Sequence, residues 1–218
     1  MKASWLMAAC LALLAPPLLG DTVYQTNSQG KEIVLQHDAI VIQQDSAFVV
    51  YKHLDLKERR VTVVRLNRGS LPFRVQVSSA AARAQIVENW KRFGHKATIT
   101  DQAGKTTHVF DLYLDFYPPG GHGSLLESLA ACTNFPIQTD NGGADEIEFE
   151  KIEGVEIHGD RLSITLREGK TVAGKFLMPT TQPAEVRVLG ITEKYDPASQ
   201  QVFDFSVPLS QLKSMAFE

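Results

Sequence analysis

The fold is predicted mainly from one stretch of the sequence, Leu162-Ser-Ile-Thr-Leu-Arg-Glu-Gly-Lys-Thr-Val-Ala-Gly-Lys-Phe176. Apolar and polar residues alternate on both sides of Gly169, which is typical of two antiparallel strands joined by a tight turn. Further on, Leu209, Leu212 and Met215 recur at a spacing of three, which predicts one helical or 3₁₀ turn before a final edge strand at Ala216-Phe217. The C-terminal part of the chain is therefore expected to consist of short antiparallel strands.

A looser copy of this pattern lies upstream. The triplets Gly104-Lys-Thr and Gly169-Lys-Thr are 65 residues apart, and the runs that close the two copies, 147–157 and 207–217, are 60 residues apart. A repeat at a fixed period indicates a repeated structural unit. We therefore expect one unit over 97–157 and a second over 158–218.

The hairpin pattern at 162–176 resembles the first hairpin of small SH3-like and Sm-like β-barrels, with Gly169 in the turn and Gly174 in a bent strand. This resemblance implies two small barrel-like units. The upstream copy has Val109 where the downstream one has Gly174, and the RNA-binding residues of the Sm family have no counterpart. Because the region is also acidic, no nucleic-acid partner is expected.

The segment 21–96 is predicted to be β-rich and to carry the main helix. Strands are expected at 33–35, 39–42, 48–51, 59–66 and 73–77, with a turn at His37-Asp38. Ile86, Trp90 and Phe93 form one apolar stripe over 79–93, and Gly94 follows, which predicts a helix that ends there.

The order strand–helix–strand over 73–100 resembles the opening of the bacterial sporulation-related (SPOR) peptidoglycan-binding domain, which implies an envelope polymer as partner. The fold class expected for the whole chain is α+β and β-rich. It comprises short antiparallel strands, two small barrel-like repeat units, the main helix at 79–93 and a shorter helix at 125–131.

A long strand is predicted over 107–117. Simple alternation places Phe110, Leu112, Leu114 and Phe116 on one face and Asp111 and Asp115 on the other. The two carboxylates are then roughly 13 Å apart along the strand, which is too far for a shared metal or an acid–base pair.

Residues 1–20 have the form of a signal peptide: a basic start, an apolar run, and a small residue, Gly20, at the expected cleavage point. We expect an exported protein, periplasmic or secreted, without a transmembrane span. Removal of Cys10 leaves Cys132 alone, so no intramolecular disulfide forms. A small buried apolar side chain is the favoured role for Cys132, and a nucleophile is the alternative.

Charge is distributed unevenly along the chain. Residues 52–96 contain eleven Lys and Arg against three acids, whereas 97–218 contain nine against eighteen. The two regions either attract each other within the molecule, or are simply solvated, or offer a basic surface to an anionic partner. The candidate residues for an anion or polymer site are Lys57, Arg59, Arg60, Arg65, Arg68 and Arg74.

One glycine-rich loop is the candidate small-molecule site, and it comprises Gly120, Gly121, His122, Gly123 and Ser124. A loop of this kind before a helix can bind an anion, although Ser124 with Glu127 also forms a simple capping box. Residues 140–146 are either a plain turn or a calcium loop, and the turn is favoured. No metal or cofactor is expected.

Three functions follow from these patterns. The first is a non-enzymatic envelope protein that binds a partner protein, or an anionic envelope polymer such as peptidoglycan, through a basic surface. The second is a structural subunit of a periplasmic or surface assembly, in which case the protein would form oligomers. The third is a hydrolase that uses the loop at 120–124.

Overall fold

The computed structural model describes residues 20–44, 48–67, 72–119, 131–178, 184–199 and 201–218. Within these ranges the protein is β-rich, with one α-helix and two antiparallel sheets, which confirms the expected β-rich class with one main helix. The shorter helix predicted at 125–131 and most of the predicted signal peptide lie outside the described residues.

The first sheet has five strands in the order β4-β3-β2-β1-β5. The helix α1 follows it. The bounds are β1 (Asp21–Thr26), β2 (Glu32–Gln44), β3 (Phe48–Asp55), β4 (Arg60–Asn67), β5 (Phe73–Gln76) and α1 (Ala80–Phe93).

Strand β2 corrects one prediction, because it runs unbroken through the turn expected at His37-Asp38. Asp38 adopts a positive φ of 54°, and the pairing of β1 with β2 shifts register beside it. A bulge therefore bends the strand without ending it. Residues before the bulge pair with β1, and residues after it pair with β3.

Helix α1 confirms the helix predicted at 79–93. The Ser79 hydroxyl accepts a hydrogen bond from the Ala82 N–H and caps the N-terminus. At the other end the Gly94 N–H donates to the Trp90 carbonyl at 2.8 Å. Ile86, Val87 and Trp90 form the buried stripe of the helix.

The second sheet has ten strands and two 3₁₀ turns. Its elements are β6 (Lys96–Asp101), β7 (Thr106–Tyr117), β8 (Asn134–Thr139), β9 (Ala144–Glu148), the first 3₁₀ turn (Phe149–Lys151), β10 (Ile152–His158), β11 (Arg161–Leu166), β12 (Thr171–Phe176), β13 (Glu185–Ile191), β14 (Phe205–Pro208), the second 3₁₀ turn (Leu209–Gln211) and β15 (Leu212–Phe217). The second turn is the one that the spacing of Leu209, Leu212 and Met215 predicted.

The same series of elements occurs twice in this sheet: four strands, a 3₁₀ turn and a fifth strand. The strand order is β14-β13-β7-β6-β15-β10-β11-β12-β8-β9. We call β14-β13-β7-β6-β15 the first half and β10-β11-β12-β8-β9 the second half. Each half combines the opening hairpin of one series with the last three strands of the other. Both halves have the strand order of the five-stranded sheet, with the fifth strand next to the first.

The two Gly-Lys-Thr triplets occupy equivalent turns. Gly104 has a φ of +83° and Gly169 a φ of +84°, a conformation that suits glycine. The Gly104 N–H donates to the Asp101 carbonyl at 3.0 Å, and the Gly169 N–H donates to the Leu166 carbonyl at 2.8 Å. The sequence spacing of 65 residues thus matches a repeated backbone geometry.

The main hydrophobic core draws side chains from both halves. It includes Ile99 and Val109 from the first series and Ile164 and Met215 from the second, all fully buried. Because strands of 97–157 alternate in space with strands of 158–218, the two sequence ranges share one core.

A second core joins the five-stranded sheet and α1 to the outer face of the first half. It contains Leu54 from β3, Trp90 from α1, Phe110 and Tyr113 from β7, and Leu189 from β13. Residues 21–96 therefore pack directly on the ten-stranded sheet.

Strand β7 corrects the simple alternation expected for it. Leu112 and Leu114 belong to the main core, whereas Phe110 faces the second core with Tyr113. The reason is Asp111, whose φ of 50° marks a bulge that changes the face on which the following residues lie.

Candidate functional site

A buried ion pair lies between the five-stranded sheet and the ten-stranded sheet. Lys52 on β3 donates a hydrogen bond from Nζ to Oδ2 of Asp111 on β7, and both side chains are 0% exposed. The Lys52 Nζ also donates to the Val202 carbonyl at 3.2 Å. Residues from three separate parts of the chain thus meet at one ammonium group.

Two aromatic rings flank the ammonium group. The Lys52 Nζ is 4.1 Å from the centroid of the Trp90 ring and 4.7 Å from that of Tyr113. Ring faces attract cations. The pair therefore occupies a fully buried, aromatic site.

Burial acts against the charged form of both groups. It lowers the pKa of Lys52 and raises the pKa of Asp111, and the attraction between the two opposes each shift. Removing either partner would leave the other as an uncompensated buried charge, or force it to become neutral.

Two glycines make room for the bulge at Asp111. A Cβ on Gly94 would lie 2.8 Å from the Asp111 Cα, and one on Gly190 would lie 2.4 Å from the Val109 Cγ1. Larger residues at these positions would clash with β7. Helix α1 and strand β13 therefore approach the bulge closely from two directions.

The buried pair leaves some polar atoms without a hydrogen bond among the described residues. They are the Asp111 Oδ1 and the hydroxyl of Tyr113. Burial raises the pKa of Tyr113 well above its usual value, so its hydroxyl stays protonated. The site contains a neutral hydroxyl, a carboxyl group and an amine within one fully buried region.

A polar groove of about 450 Å³ is the candidate binding site on the surface. It lies where the turn between β3 and β4 meets β8 and the first 3₁₀ turn. Lys57 and Arg60 contribute positive charge, and Glu148 and Glu150 contribute negative charge. The remaining lining residues are Glu58, His95, Ala131, Cys132, Thr133 and Asn134.

His95 and Cys132 are uncharged at neutral pH. Burial, together with the positive charge of Arg59, lowers the pKa of His95 to about 4. Burial raises the pKa of Cys132 to about 11, which keeps the thiol protonated and weakly nucleophilic. Cys132 also packs against the main core but is only partly buried, so the role expected for it as a buried apolar residue is met in part.

The predicted basic residues are in different environments. Arg59 donates to the Phe93 carbonyl at 2.9 Å and the Gly94 carbonyl at 3.2 Å, at the C-terminal end of α1. Arg74 forms a two-bond ion pair with Glu32, at 2.6 and 2.8 Å. These two guanidinium groups are already engaged within the molecule.

Only Lys57 and Arg60 lie together, in the polar groove. Arg65 is exposed on β4 and stacks on the Phe48 ring at 4.6 Å. It is five residues from Arg60 along a regular strand, so the two side chains leave opposite faces. Arg68 and the loop residues 120–124 lie outside the described residues.

Asp140 lies in the turn that the sequence favoured over a calcium loop. Its carboxylate accepts two hydrogen bonds from Arg161, at 2.6 and 2.7 Å. Across the described ranges, no group of three or more His, Cys, Asp or Glu side chains could hold a metal ion. No helix in these ranges is long and apolar enough to cross a membrane.

Sequence reasoning missed the buried pair. Lys52 counted only as part of the basic segment, and Asp111 was assigned to the polar face of β7. A partial signal was present, because Lys52 directly follows the apolar run 48–51 and Asp111 stands between two apolar pairs, 109–110 and 112–113. What the sequence could not give is that the two interruptions face each other.

Comparisons of the chain with protein-family models, with curated proteins and with solved structures find no match.

Proposed function

We propose that the protein is an exported, non-enzymatic envelope protein that binds its partner in the polar groove beside Lys57 and Arg60. The observation that carries the proposal is the presence of these two basic residues together with Glu58, Glu148 and Glu150 in one groove. Exposed charges of both signs, two basic and three acidic, offer complementary contacts to a partner that itself carries both signs.

This charge pattern favours a partner with peptide character. A carboxylate of the partner would pair with Lys57 or Arg60, and an ammonium group would pair with Glu148 or Glu150. A purely anionic polymer would be repelled at short range by the three glutamates Glu58, Glu148 and Glu150. An envelope protein, or the peptide part of peptidoglycan, fits both requirements.

Export is part of the same proposal. Strand β1 begins at Asp21, the residue at which the exported chain is expected to start. Its carboxylate accepts hydrogen bonds from the Val41 N–H at 2.8 Å and the Ser78 hydroxyl at 2.7 Å. An N-terminus close to Asp21 is thus compatible with the described fold.

The proposal also states how the two repeated units are assembled. We infer that each half of the ten-stranded sheet is one of the two barrel-like units expected from the sequence, assembled by exchange of strands between the two series. The equal strand order in both halves supports this reading. The exchanged arrangement fixes β8 and the first 3₁₀ turn, which form one wall of the groove.

The test is co-sedimentation of the purified exported protein with cell envelopes, isolated peptidoglycan and lipid vesicles, at low and high salt. We expect binding to envelopes or peptidoglycan that salt weakens, because exposed charges are screened. The double variant Lys57→Glu with Arg60→Glu should lose this binding, whereas Lys105→Glu, an exposed control on the ten-stranded sheet, should retain it.

The acidic wall distinguishes the partner classes. Glu148→Lys with Glu150→Lys should weaken binding of a partner that carries both charges and strengthen binding of a purely anionic polymer. Binding that none of these variants alters would contradict the groove as the site. Self-association of the protein alone at low salt, detected by sedimentation, would favour the structural-subunit alternative.

A further inference from the structure

The contact between Lys52 and Asp111 brings a primary amine and a carboxyl group together in a fully buried site. The two residues are 59 positions apart in sequence and belong to different sheets. Both are fully buried, and the rings of Trp90 and Tyr113 lie over the amine. This arrangement has a chemical consequence beyond an ion pair.

We propose that Lys52 and Asp111 condense to form an intramolecular amide cross-link between β3 and β7. This modification is independent of the groove and of any partner. It would join the five-stranded sheet covalently to the ten-stranded sheet, so that neither could separate from the other on unfolding.

The reaction balances with the atoms already present. Transfer of one proton from the Lys52 ammonium to the Asp111 carboxylate gives a neutral amine and a neutral carboxylic acid. The amine Nζ attacks the Asp111 Cγ, the Nζ–Cγ bond forms, and the Cγ–O bond to the protonated oxygen breaks. The departing oxygen leaves as water, which carries the acid proton and one amine proton. Neither an oxidant nor an activating co-reactant is required.

The surroundings favour each stage. Burial stabilises the neutral amine and the neutral acid relative to their ions, which is the state that reacts. Fixing the two groups in contact removes the entropic cost of bringing them together. Exclusion of water favours condensation over hydrolysis of the product.

The product would also keep a hydrogen bond. An amide nitrogen in place of the ammonium group retains one N–H, and the Val202 carbonyl, now 3.2 Å from the Lys52 Nζ, is positioned to accept from it. The buried charge would be eliminated, so a site that is costly as an ion pair would become neutral.

Mass spectrometry of the denatured wild-type protein tests the proposal. We expect an intact mass lower by one water than the mass calculated for its observed N-terminus. After tryptic digestion, a branched peptide should contain both the Lys52 and Asp111 segments, and trypsin should not cleave after Lys52. A full mass with linear peptides that end at Lys52 would overturn the proposal.

Two variants refine the test. Lys52→Arg retains the positive charge but lacks the amine, so loss of water should disappear; persistence of the loss would assign it to another dehydration and overturn the proposal. Asp111→Asn should condense with loss of ammonia in place of water. Should either variant fail to fold, the peptide map of the wild-type protein decides the question by itself.

Discussion

The two halves of the ten-stranded sheet have the same strand order but different surroundings. In the first half, β7 and β13 are covered on their outer face by α1 and the five-stranded sheet, and Phe110 pairs with Ile191. In the second half, the equivalent pair is Lys175 with Gln138, and both are exposed. The same backbone thus accepts an apolar or a polar face, according to what covers it.

The position before each opening strand shows the same difference. His95 precedes β6 and is buried, whereas Asp160 precedes β11, is exposed and pairs with Lys175 at 2.8 Å. The strand order is thus the same in both copies of the repeated pattern. Whether the residues of each half are apolar and buried or polar and exposed depends on the elements that pack against that half.

The largest expected effect separates two lysines. Lys52→Met should lower the free energy of unfolding by about 3–5 kcal/mol, because Asp111 then remains buried without its partner. Lys175→Met, the exposed control in the second half, should change it by less than about 0.5 kcal/mol. Urea denaturation measures both. Equal changes in the free energy of unfolding in the two variants would contradict the conclusion that the first half is covered by other elements and the second half is exposed.

A double variant sharpens this result. Lys52→Met combined with Asp111→Leu should recover much of the stability lost in Lys52→Met alone, because no charge is then left buried. A double variant as unstable as the single one would indicate that packing around Lys52 or loss of the proposed cross-link, and not charge, dominates the site.

The next prediction concerns two glycines that lie where neighbouring strands approach each other closely, one in each half of the ten-stranded sheet. A Cβ on Gly190 would lie 2.4 Å from the Val109 Cγ1, and one on Gly174 would lie 2.1 Å from the Gln138 carbonyl oxygen. Gly190→Ala and Gly174→Ala should each cost about 1–3 kcal/mol through overpacking.

The matched control for the glycines is Gly154→Ala, whose added Cβ would meet its nearest neighbour at an ordinary 3.4 Å. We expect it to leave the melting temperature nearly unchanged. If the control were as destabilising as the other two variants, replacement of any strand glycine would explain the effect better than a clash of the added Cβ.

His95 predicts that the stability of the protein depends on pH. Its pKa is lowered to about 4 in the folded protein, mainly by burial. As pH falls from about 6.5 to 4, the unfolded chain binds a proton here and the folded chain does not, so stability is lost in that window. The loss at its acid end is about 3 kcal/mol at most.

Urea denaturation at pH 7 and pH 4.5 checks this prediction. The variant His95→Gln should lose less stability than the wild-type protein between these two values. Equal losses would assign the acid sensitivity to carboxylates elsewhere in the molecule.

The smallest expected effect concerns the exposed ion pair between Arg161 and Asp140 in the second half. Both side chains are about half exposed, so the ion pair is only slightly more stable than the two charges solvated separately. Arg161→Ala should cost no more than about 1 kcal/mol, and the cost should fall at high salt. Thermal melts at two salt concentrations measure it.

The sequence by itself determined the β-rich class, the helix at 79–93 and the turns at Gly104 and Gly169, because these depend on periodicity and local backbone preference. The turn expected at Asp140 is also present, and Cys132 packs against the main core although it is only partly buried. Two predictions were wrong: a turn that interrupts β2, and the face of β7 on which Phe110 lies. Positive φ values at Asp38 and Asp111 produce bulges that residue type alone does not reveal.

Only the tertiary structure decided which residues meet. Strand pairing between the two series, contact between Lys52 and Asp111, and the groove that combines Lys57 with Glu148 all join residues that are far apart in sequence. Local patterns fix the period of a strand, but its partner is chosen by the burial of its side chains against the rest of the molecule. For that reason the repeat could be read from the sequence, whereas the exchange of strands and the buried pair could not.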